Sequence, residues 1–299
     1  MSNKTTLAEV FTTFLQHQKL EDKKLLLMVS GGVDSAVLLH VAVQVVKPEY
    51  LAVLHVNHNT RNEAREDELF VQNLCSKLNI KFYNEILKPI TGSGIETQWR
   101  TLRQELSAKT AKDFGAAIVL TAHHATDLVE TMIFRLTKGC GPAGLSPFDT
   151  STKPFWEIPK QALLDYAKAH QLEWKEDITN LNTKFKRNLI RAEVLPSLRS
   201  ITPNLENVFV RESQTFLEIE EYLQNQAQLL LKDNKLSLDI FLACPPALQK
   251  TCLRSMATKI PSQAEIDDCL KWLTGNPAGN SKKQIGDTKL TLKAGVIIW

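Results

Sequence analysis

The stretch Ser30-Gly31-Gly32-Val33-Asp34-Ser35 separates a short apolar run, Leu25 to Val29, from a helix-like run, Ala36 to Val46. Neither glycine has a Cβ, so the backbone can turn sharply there and a ligand can approach it closely. A helix starting at this point presents unsatisfied N–H groups and its positive dipole end to the turn. Together with the Ser30 and Ser35 hydroxyls, these amides make a cradle for a phosphate or pyrophosphate. The lysine of the ordinary G-x-x-x-x-G-K-S/T loop is missing, and Asp34 stands inside the cradle instead. An acid beside a phosphate is repulsive unless a cation lies between them. Asp34 therefore reads as a Mg²⁺ contact or as a group next to the reacting phosphorus.

A second set of reactive side chains is His123-His124-Ala125-Thr126-Asp127, followed by Glu130. Read as a helix, His123, Asp127 and Glu130 at i, i+4 and i+7 share one face. The two acids suit an ammonium or a metal, and a histidine beside them suits proton transfer near neutral pH. The H-E-x-x-H spacing of a zinc helix is absent. Arg100 and Arg103, one turn apart, offer guanidinium groups for a phosphate or for charge in a transition state. The densest basic segment, Lys184, Lys186, Arg187 and Arg191 interleaved with Phe185 and Asn188, is either a contact for a phosphate backbone or a solvated helix face.

These residues need a scaffold, and the apolar pattern supplies one. Leu7, Val10, Phe11, Phe14 and Leu15 recur at helical spacing over 5–18. Leu51 to Val56, Ile80 to Asn84 and Ala116 to Leu120 read as further strands. They are separated by helical runs over 63–79 and from Ile95 to Phe114, the latter ended by Gly115. Strands alternating with helices predict an α/β fold, a parallel, doubly wound sheet with helices on both faces. Ligands of such sheets bind beyond the carboxyl ends of the strands, where Ser30, His55 and His123 would fall. Gly139 to Gly144 matches G-x-G-x-x-G, but it follows a helical run, and Pro142 removes a backbone donor; it reads as a helix end and a flexible loop over the site. Helical runs from Lys160 to His170 and over 204–232 come next. The tail holds two amphipathic helices and a hairpin formed by Lys289 to Lys293 and Val296 to Trp299. The expected organisation is a catalytic domain over 1–200, a connecting helix over 201–235 and a small C-terminal α+β binding domain over 236–299.

The 299-residue chain is 43% hydrophobic and 23% charged, as in ordinary globular proteins, and no apolar run approaches the roughly 18 residues of a membrane span. With no apolar leader near Met1, a cytoplasmic location is expected. Five cysteines without a C-x-x-C pair argue against a zinc ribbon, an iron–sulfur site and a dithiol redox motif, and favour buried free thiols. Residues 201–299 are balanced in charge, so the net excess of +3 belongs to residues 1–200.

On Ser30 to Ser35, the S-G-G-x-D-S marker, the sequence resembles the N-type ATP pyrophosphatase (PP-loop) superfamily, whose members use ATP to activate a carbonyl-type oxygen and release pyrophosphate. Within it, the chain resembles the tRNA(Ile)-lysidine synthetases. That likeness rests on His55-Val-Asn-His58 with Arg61 and Asp67, on Thr121 to Thr131 followed by Lys138 to Leu145, and on Glu176-Asp177, Asn180, Phe185, Arg187-Asn188, Arg191 and Pro196. The resemblance implies an adenine nucleotide alpha hydrolase-like sheet. It implies ATP binding by Ser30, Gly31, Gly32, Val33, Asp34, Ser35 and His55, with Mg²⁺ near Asp34. Asp34, Arg103 and one of His123 and His124 would support adenylation at C2 of a cytidine. Asp127 and Glu130 would receive free L-lysine, Arg187, Asn188 and Arg191 would contact an isoleucine tRNA near its anticodon, and the small C-terminal domain over 236–299 would bind tRNA or another substrate. A homodimer is an open expectation. Other readings are a PP-loop enzyme of tRNA thiolation, an amide synthetase for small molecules, and a nucleotide-binding protein without catalysis. The family often has two consecutive acids where this chain has Thr126-Asp127.

Overall fold

The helix expected near the N-terminus forms as α1 (Leu7–Gln18), opened by a capping box. The Thr6 hydroxyl accepts from the Glu9 N–H at 3.2 Å, and the Glu9 carboxylate accepts from the Thr6 N–H at 2.7 Å. After it, β1 (Leu25–Met28), α2 (Val33–Val45), β2 (Leu51–Asn57), α3 (Ala64–Lys77), β3 (Lys81–Ile86), α4 (Ile95–Phe114) and β4 (Ile118–Leu120) alternate as the apolar runs predict. The structure is a computed structural model that describes residues 6–57, 64–87, 95–175, 186–275, 277 and 279–299.

The four strands are parallel, in the order β3-β2-β1-β4. Alternation along β1 sets the layers: Leu25 and Leu27 enter the core that holds Leu7, Phe11 and Leu15 of α1 and Val37, Leu38 and Val41 of α2. Leu26 packs on the other face with Ala52, Leu54, Tyr83, Ala111 and Phe114. A sheet covered on both sides explains why β1, β2 and β4 are apolar runs and not alternating ones, whereas β3, at the edge, mixes in Lys81, Asn84 and Glu85. Because β1 neighbours both β2 and β4, the strand order reverses between β1 and β4. A crevice therefore opens at their carboxyl ends, where Ser30 and Thr121 begin their loops.

The chain continues through α5 (Ala125–Leu136), α6 (Pro142–Leu145), α7 (Lys160–Ala169), α8 (Lys186–Leu189), a wide turn at Ile190–Val194, α9 (Leu195–Ile201) and the long α10 (Leu205–Leu230). Gly139, with φ +76, turns the chain just past α5, as a helix-end glycine does. Contacts divide the protein into two compact units, residues 1–140 with 147–213 and residues 141–146 with 214–299. The second unit contains β5 (Lys235–Ser237), α11 (Leu238–Ala243), α12 (Pro246–Met256), α13 (Gln263–Thr274), β6 (Lys282–Ile285), β7 (Thr288–Lys293) and β8 (Val296–Ile298). Its sheet is antiparallel, ordered β5-β8-β7-β6. The hairpin read from sequence is β7–β8, turned at Ala294 and Gly295 with φ +49 and +75.

All five cysteines are free, and burial pushes the thiols of Cys75, Cys252 and Cys269 up to about 12, 11 and 11. Cys140 and Cys244 are only half-buried, which corrects the expectation for those two. Among the described residues, no helix is long and apolar enough to cross a membrane.

Phe11 is fully buried and touches Phe14 and Phe155, so it ties α1 to the sheet core. Phe11→Ala is expected to cost about 3–5 kcal/mol in urea unfolding followed by circular dichroism. A loss below about 1 kcal/mol would show that α1 is dispensable to this core.

Candidate nucleotide site

The cradle is built by β1, which ends in a buried Val29, and by α2, whose N-terminus is Gly32. Val29 is anchored to β2 through its N–H to the Leu54 carbonyl at 3.0 Å. Gly31 takes φ +94, a conformation that a residue with a Cβ rarely adopts, and its carbonyl accepts from the Lys175 N–H at 2.9 Å. Inside the turn, the Ser35 hydroxyl donates to the Gly32 carbonyl at 2.9 Å and accepts from the Ser30 N–H at 3.2 Å. The two serine oxygens stand 3.3 Å apart. His55 is buried and holds the same loop from beneath, its Nδ1–H donating to the Val29 carbonyl at 2.9 Å. It supports the backbone and does not line the cavity above it.

That cavity has a volume of about 300 Å³ and is lined by Ser30, Gly32, Asp34, Ser35, Arg103, Thr121, His123 and Asp127, with Met28, Val29, Leu54, Val56 and Ala122. Asp34 is its electrostatic centre. The Lys160 ammonium lies 3.2 Å from Asp34 Oδ2, and His124 Nε2 lies 3.6 Å from the same oxygen. Burial works to raise the Asp34 carboxyl, but His124 and Lys160 outweigh it and hold it below the usual carboxylate range. The second oxygen, Oδ1, is buried without a hydrogen-bond partner. A lone carboxylate acceptor inside an anion cradle is the donor set a divalent cation would complete, so Asp34 fits Mg²⁺.

The structure separates the two histidines. The strand exit keeps His123 ahead of α5, so it does not share the Asp127–Glu130 face that a helical reading gave it. His124 occupies the N-cap, with its Nδ1 accepting from the Asp127 N–H at 3.4 Å while Asp127 Oδ2 accepts from the His124 N–H at 3.0 Å. His123 instead lines the cavity, with Nδ1 2.8 Å from the Thr121 hydroxyl. Its ring has an open edge, yet the surrounding walls strip enough water to lower its pKa. Asp127 opposes this, and Lys153, His124 and Arg103 add to it.

Glu130 is buried, and both of its oxygens face Arg191: Nε at 2.6 Å and Nη2 at 2.9 Å. Arg191 also lies 3.8 Å from Asp127. The Glu130 carboxylate is thus paired within the protein, and Arg191 reaches inward, where the sequence reading placed both on ligands. The physical reason is that a bidentate guanidinium compensates a buried carboxylate better than water can. Arg187 stays exposed, and Asn188 is half-buried beside it on α8. Arg135 is held below its usual value first by burial and then by Arg100 and Arg187, so three guanidinium groups gather here. His58, Arg61, Glu176, Asp177, Asn180, Lys184 and Phe185, singled out in the sequence, lie outside the described residues.

Two groups went unnoticed in the sequence. Lys160 opens α7, the end of a helix that repels a cation, and that mismatch was a legible signal. Glu206, buried on α10, accepts from the Thr126 hydroxyl at 3.1 Å and pairs with Arg199. Nothing local pointed to it. A second cavity of about 580 Å³ has Thr126, Lys160, Arg191, Arg199, Asn204 and Glu206 among its walls.

Residues 3–198 match the family model described as the PP-loop domain. The chain is 34% identical over 240 residues to the tRNA(Ile)-lysidine synthase of Petrotoga mobilis, covering 76% of this chain and 77% of that protein. It is 29% identical to the tRNA(Ile)-lysidine synthase of Nitrosomonas europaea, covering 95% of this chain and 66% of that one. The U34-tRNA thiolase NcsA of Methanococcus maripaludis, solved with its iron–sulfur cluster, superposes with a TM-score of 0.57 at 14% identity. That likeness covers 70% of this chain and 79% of the thiolase, and it concerns the fold.

Removing Arg191 would leave the Glu130 carboxylate buried and alone. Arg191→Ala is expected to destabilise the protein by about 2–4 kcal/mol, somewhat under the figure for fully buried pairs because the arginine is partly exposed. Adding Glu130→Gln should restore part of the loss. Equal melting of wild type and the single variant would show that the pair is not structural.

Proposed function

Because the chain belongs to the PP-loop family and, within it, to the tRNA(Ile)-lysidine synthases, ligases that form a carbon–nitrogen bond, we propose that it joins free L-lysine to C2 of the wobble cytidine of an isoleucine tRNA. ATP supplies the activation, and AMP and pyrophosphate leave. The support is one cavity in which a phosphate cradle, an acid with an unpartnered oxygen, an arginine and a histidine of lowered pKa converge.

Each residue has a task set by its position. The N–H groups and hydroxyls of Ser30, Gly31, Gly32, Val33 and Ser35 hold the phosphates at the start of α2. Mg²⁺ held by Asp34 would neutralise phosphate charge. The cytidine O2 bonds to the α-phosphorus as pyrophosphate departs, and Arg103 balances the charge that develops there. The lysine ε-amine then bonds to C2 while AMP leaves with the former O2. Asp127, which lines the cavity, receives the lysine ammonium, and Glu130 acts indirectly by fixing Arg191 beside Asp127. His123, kept neutral by its lowered pKa, takes the proton that the ammonium must lose before it can attack. Arg187 and Asn188, with Arg100 and Arg135 near Arg187, present positive charge to the tRNA backbone. Sulfur transfer finds less support, because none of the five cysteines lines either cavity.

The direct test is incubation with ATP, labelled lysine and the isoleucine tRNA. Label is expected in the RNA, with AMP and pyrophosphate in solution. An unlabelled tRNA, in the presence of a working control enzyme, would overturn the assignment.

The role of His123 fixes the pH profile. Its folded-state pKa is lowered, so the neutral imidazole persists to more acidic pH than an ordinary histidine allows. The acid limb of kcat/KM for lysine should accordingly lie below the usual histidine range, and His123→Ala should abolish that limb. A limb at or above the usual range would exclude His123 as the base.

A further inference from the structure

We propose that Lys160 makes metal entry conditional on the nucleotide: its ammonium holds the carboxylate that a divalent cation would use, and releases it once a triphosphate has brought negative charge into the site. The inference rests on the reading of Asp34 as the metal contact. Lys160 opens α7, where unpaired backbone N–H groups already concentrate positive charge, and no side chain caps that end. Nothing in the helix favours a cation there. The ammonium reaches Asp34 Oδ2 at 3.2 Å, across 126 positions of sequence. The Lys160 N–H donates to the Thr126 hydroxyl at 3.4 Å, which ties the start of α7 to α5 and keeps the ammonium within reach of Asp34.

The charge balance of the cavity gives the lysine this role. Among the described residues, the acids that line it are Asp34 and Asp127. Asp34 Oδ2 carries Lys160, Asp127 lies 3.8 Å from Arg191, and Arg103 adds a guanidinium to the wall. The acids are therefore matched before any ligand arrives. Mg²⁺ dehydrates reluctantly and is held by one or two carboxylates together with substrate phosphates, so the open Oδ1 of Asp34 is a weak seat for the bare ion. An ion on Oδ1 and an ammonium on Oδ2 would share one carboxylate, closer than the roughly 8 Å over which physiological salt screens charge. Their repulsion weakens the seat further. A triphosphate reverses the balance, because its charge attracts both cations and the flexible lysine stem lets the ammonium turn from Asp34 to a phosphate oxygen. By linkage, whatever factor the nucleotide adds to metal affinity the metal returns to the nucleotide. Lys160 is thus a positioning residue that keeps Asp34 oriented in the empty site and bare metal out of it.

The test titrates Mn²⁺ into the full chain without nucleotide and reads the free ion by electron paramagnetic resonance. Wild type is expected to bind no tighter than about 1 mM, as sites with few charged ligands do. Lys160→Gln should bind about tenfold tighter or more, since a unit charge beside a divalent ion has gone. Lys160→Arg keeps the charge and should bind as wild type does, and adding Asp34→Asn to Lys160→Gln should cancel the gain. Lys109→Gln, whose lysine pairs with Glu85 away from the cavity, should change nothing. Beside an ATP analogue that cannot be cleaved between its α and β phosphates, Asp34→Asn should weaken Mn²⁺ binding. If it does, an unchanged affinity in Lys160→Gln, or an equal gain in Lys160→Arg, would overturn this proposal alone. Wild-type binding tighter than about 0.1 mM without nucleotide would overturn it as well, whether or not a variant folds. No effect of Asp34→Asn beside the analogue would overturn the metal reading of Asp34 and the proposal with it.

Discussion

One carboxylate draws three segments of the chain together. Asp34 stands in the first turn of α2, and its charge is met by Lys160 at the start of α7 and by His124 at the start of α5. Two opposite charges near 4 Å attract by about 1 kcal/mol in water and by about 4 kcal/mol where the effective dielectric constant is nearer 20. A site that is 28% exposed on the acid side falls between those limits. The attraction is enough to offset desolvation, and it fixes three helix N-termini around one point. Without the acid, Lys160 would sit uncompensated at the positive end of a helix.

The sheet makes that convergence available at modest cost. Four parallel strands, covered on both faces, place all their carboxyl ends on one side. The reversal between β1 and β4 parts the loops there enough to leave a cavity. The polar side chains that line it come mostly from loops and first turns, where backbone N–H groups are unpaired, with Arg103 farther along α4, while the strands contribute apolar ones. Secondary ties keep those loops still: Val29 to β2, His55 to Val29, and Ala125 N–H to the Ile158 carbonyl at 2.9 Å.

The legible part of the molecule was the part determined locally. Ser30 to Ser35 declared itself because two glycines and a following apolar helix leave few conformations open. β1, β2 and β4 declared themselves because a parallel strand covered on both faces is apolar nearly throughout, and β3, a half-buried edge strand with Lys81, Asn84 and Glu85, by following α3 in the alternation. β4 came out shorter than the apolar run, at Ile118–Leu120, since Ala117 spends its N–H on the Lys24 carbonyl outside the ladder. The roles of His123 and His124 could not be divided from sequence, because a single capping hydrogen bond decides which one leaves the cleft. Glu130 and Arg191 are 61 positions apart, and Thr126 and Glu206 are 80 apart. Such partners are chosen by tertiary packing, which leaves no mark on spacing. β5 and β6 escaped notice for another reason: three and four residues with outward lysines carry too little apolar signal to register as strands.

The cap of α5 has a consequence for proton traffic. Nδ1 of His124 is the acceptor for a backbone N–H of the helix, so the neutral ring must carry its proton on Nε2, toward Asp34 and Asp127. The tautomer is thereby set by the backbone. A proton arriving at Nδ1 would take away the acceptor that closes the first turn of the helix, whereas one lost from Nε2 would leave two carboxylates facing a bare lone pair. His124 is accordingly committed on both ring nitrogens, one to the start of α5 and the other to the two carboxylates, whereas His123 has no backbone to hold.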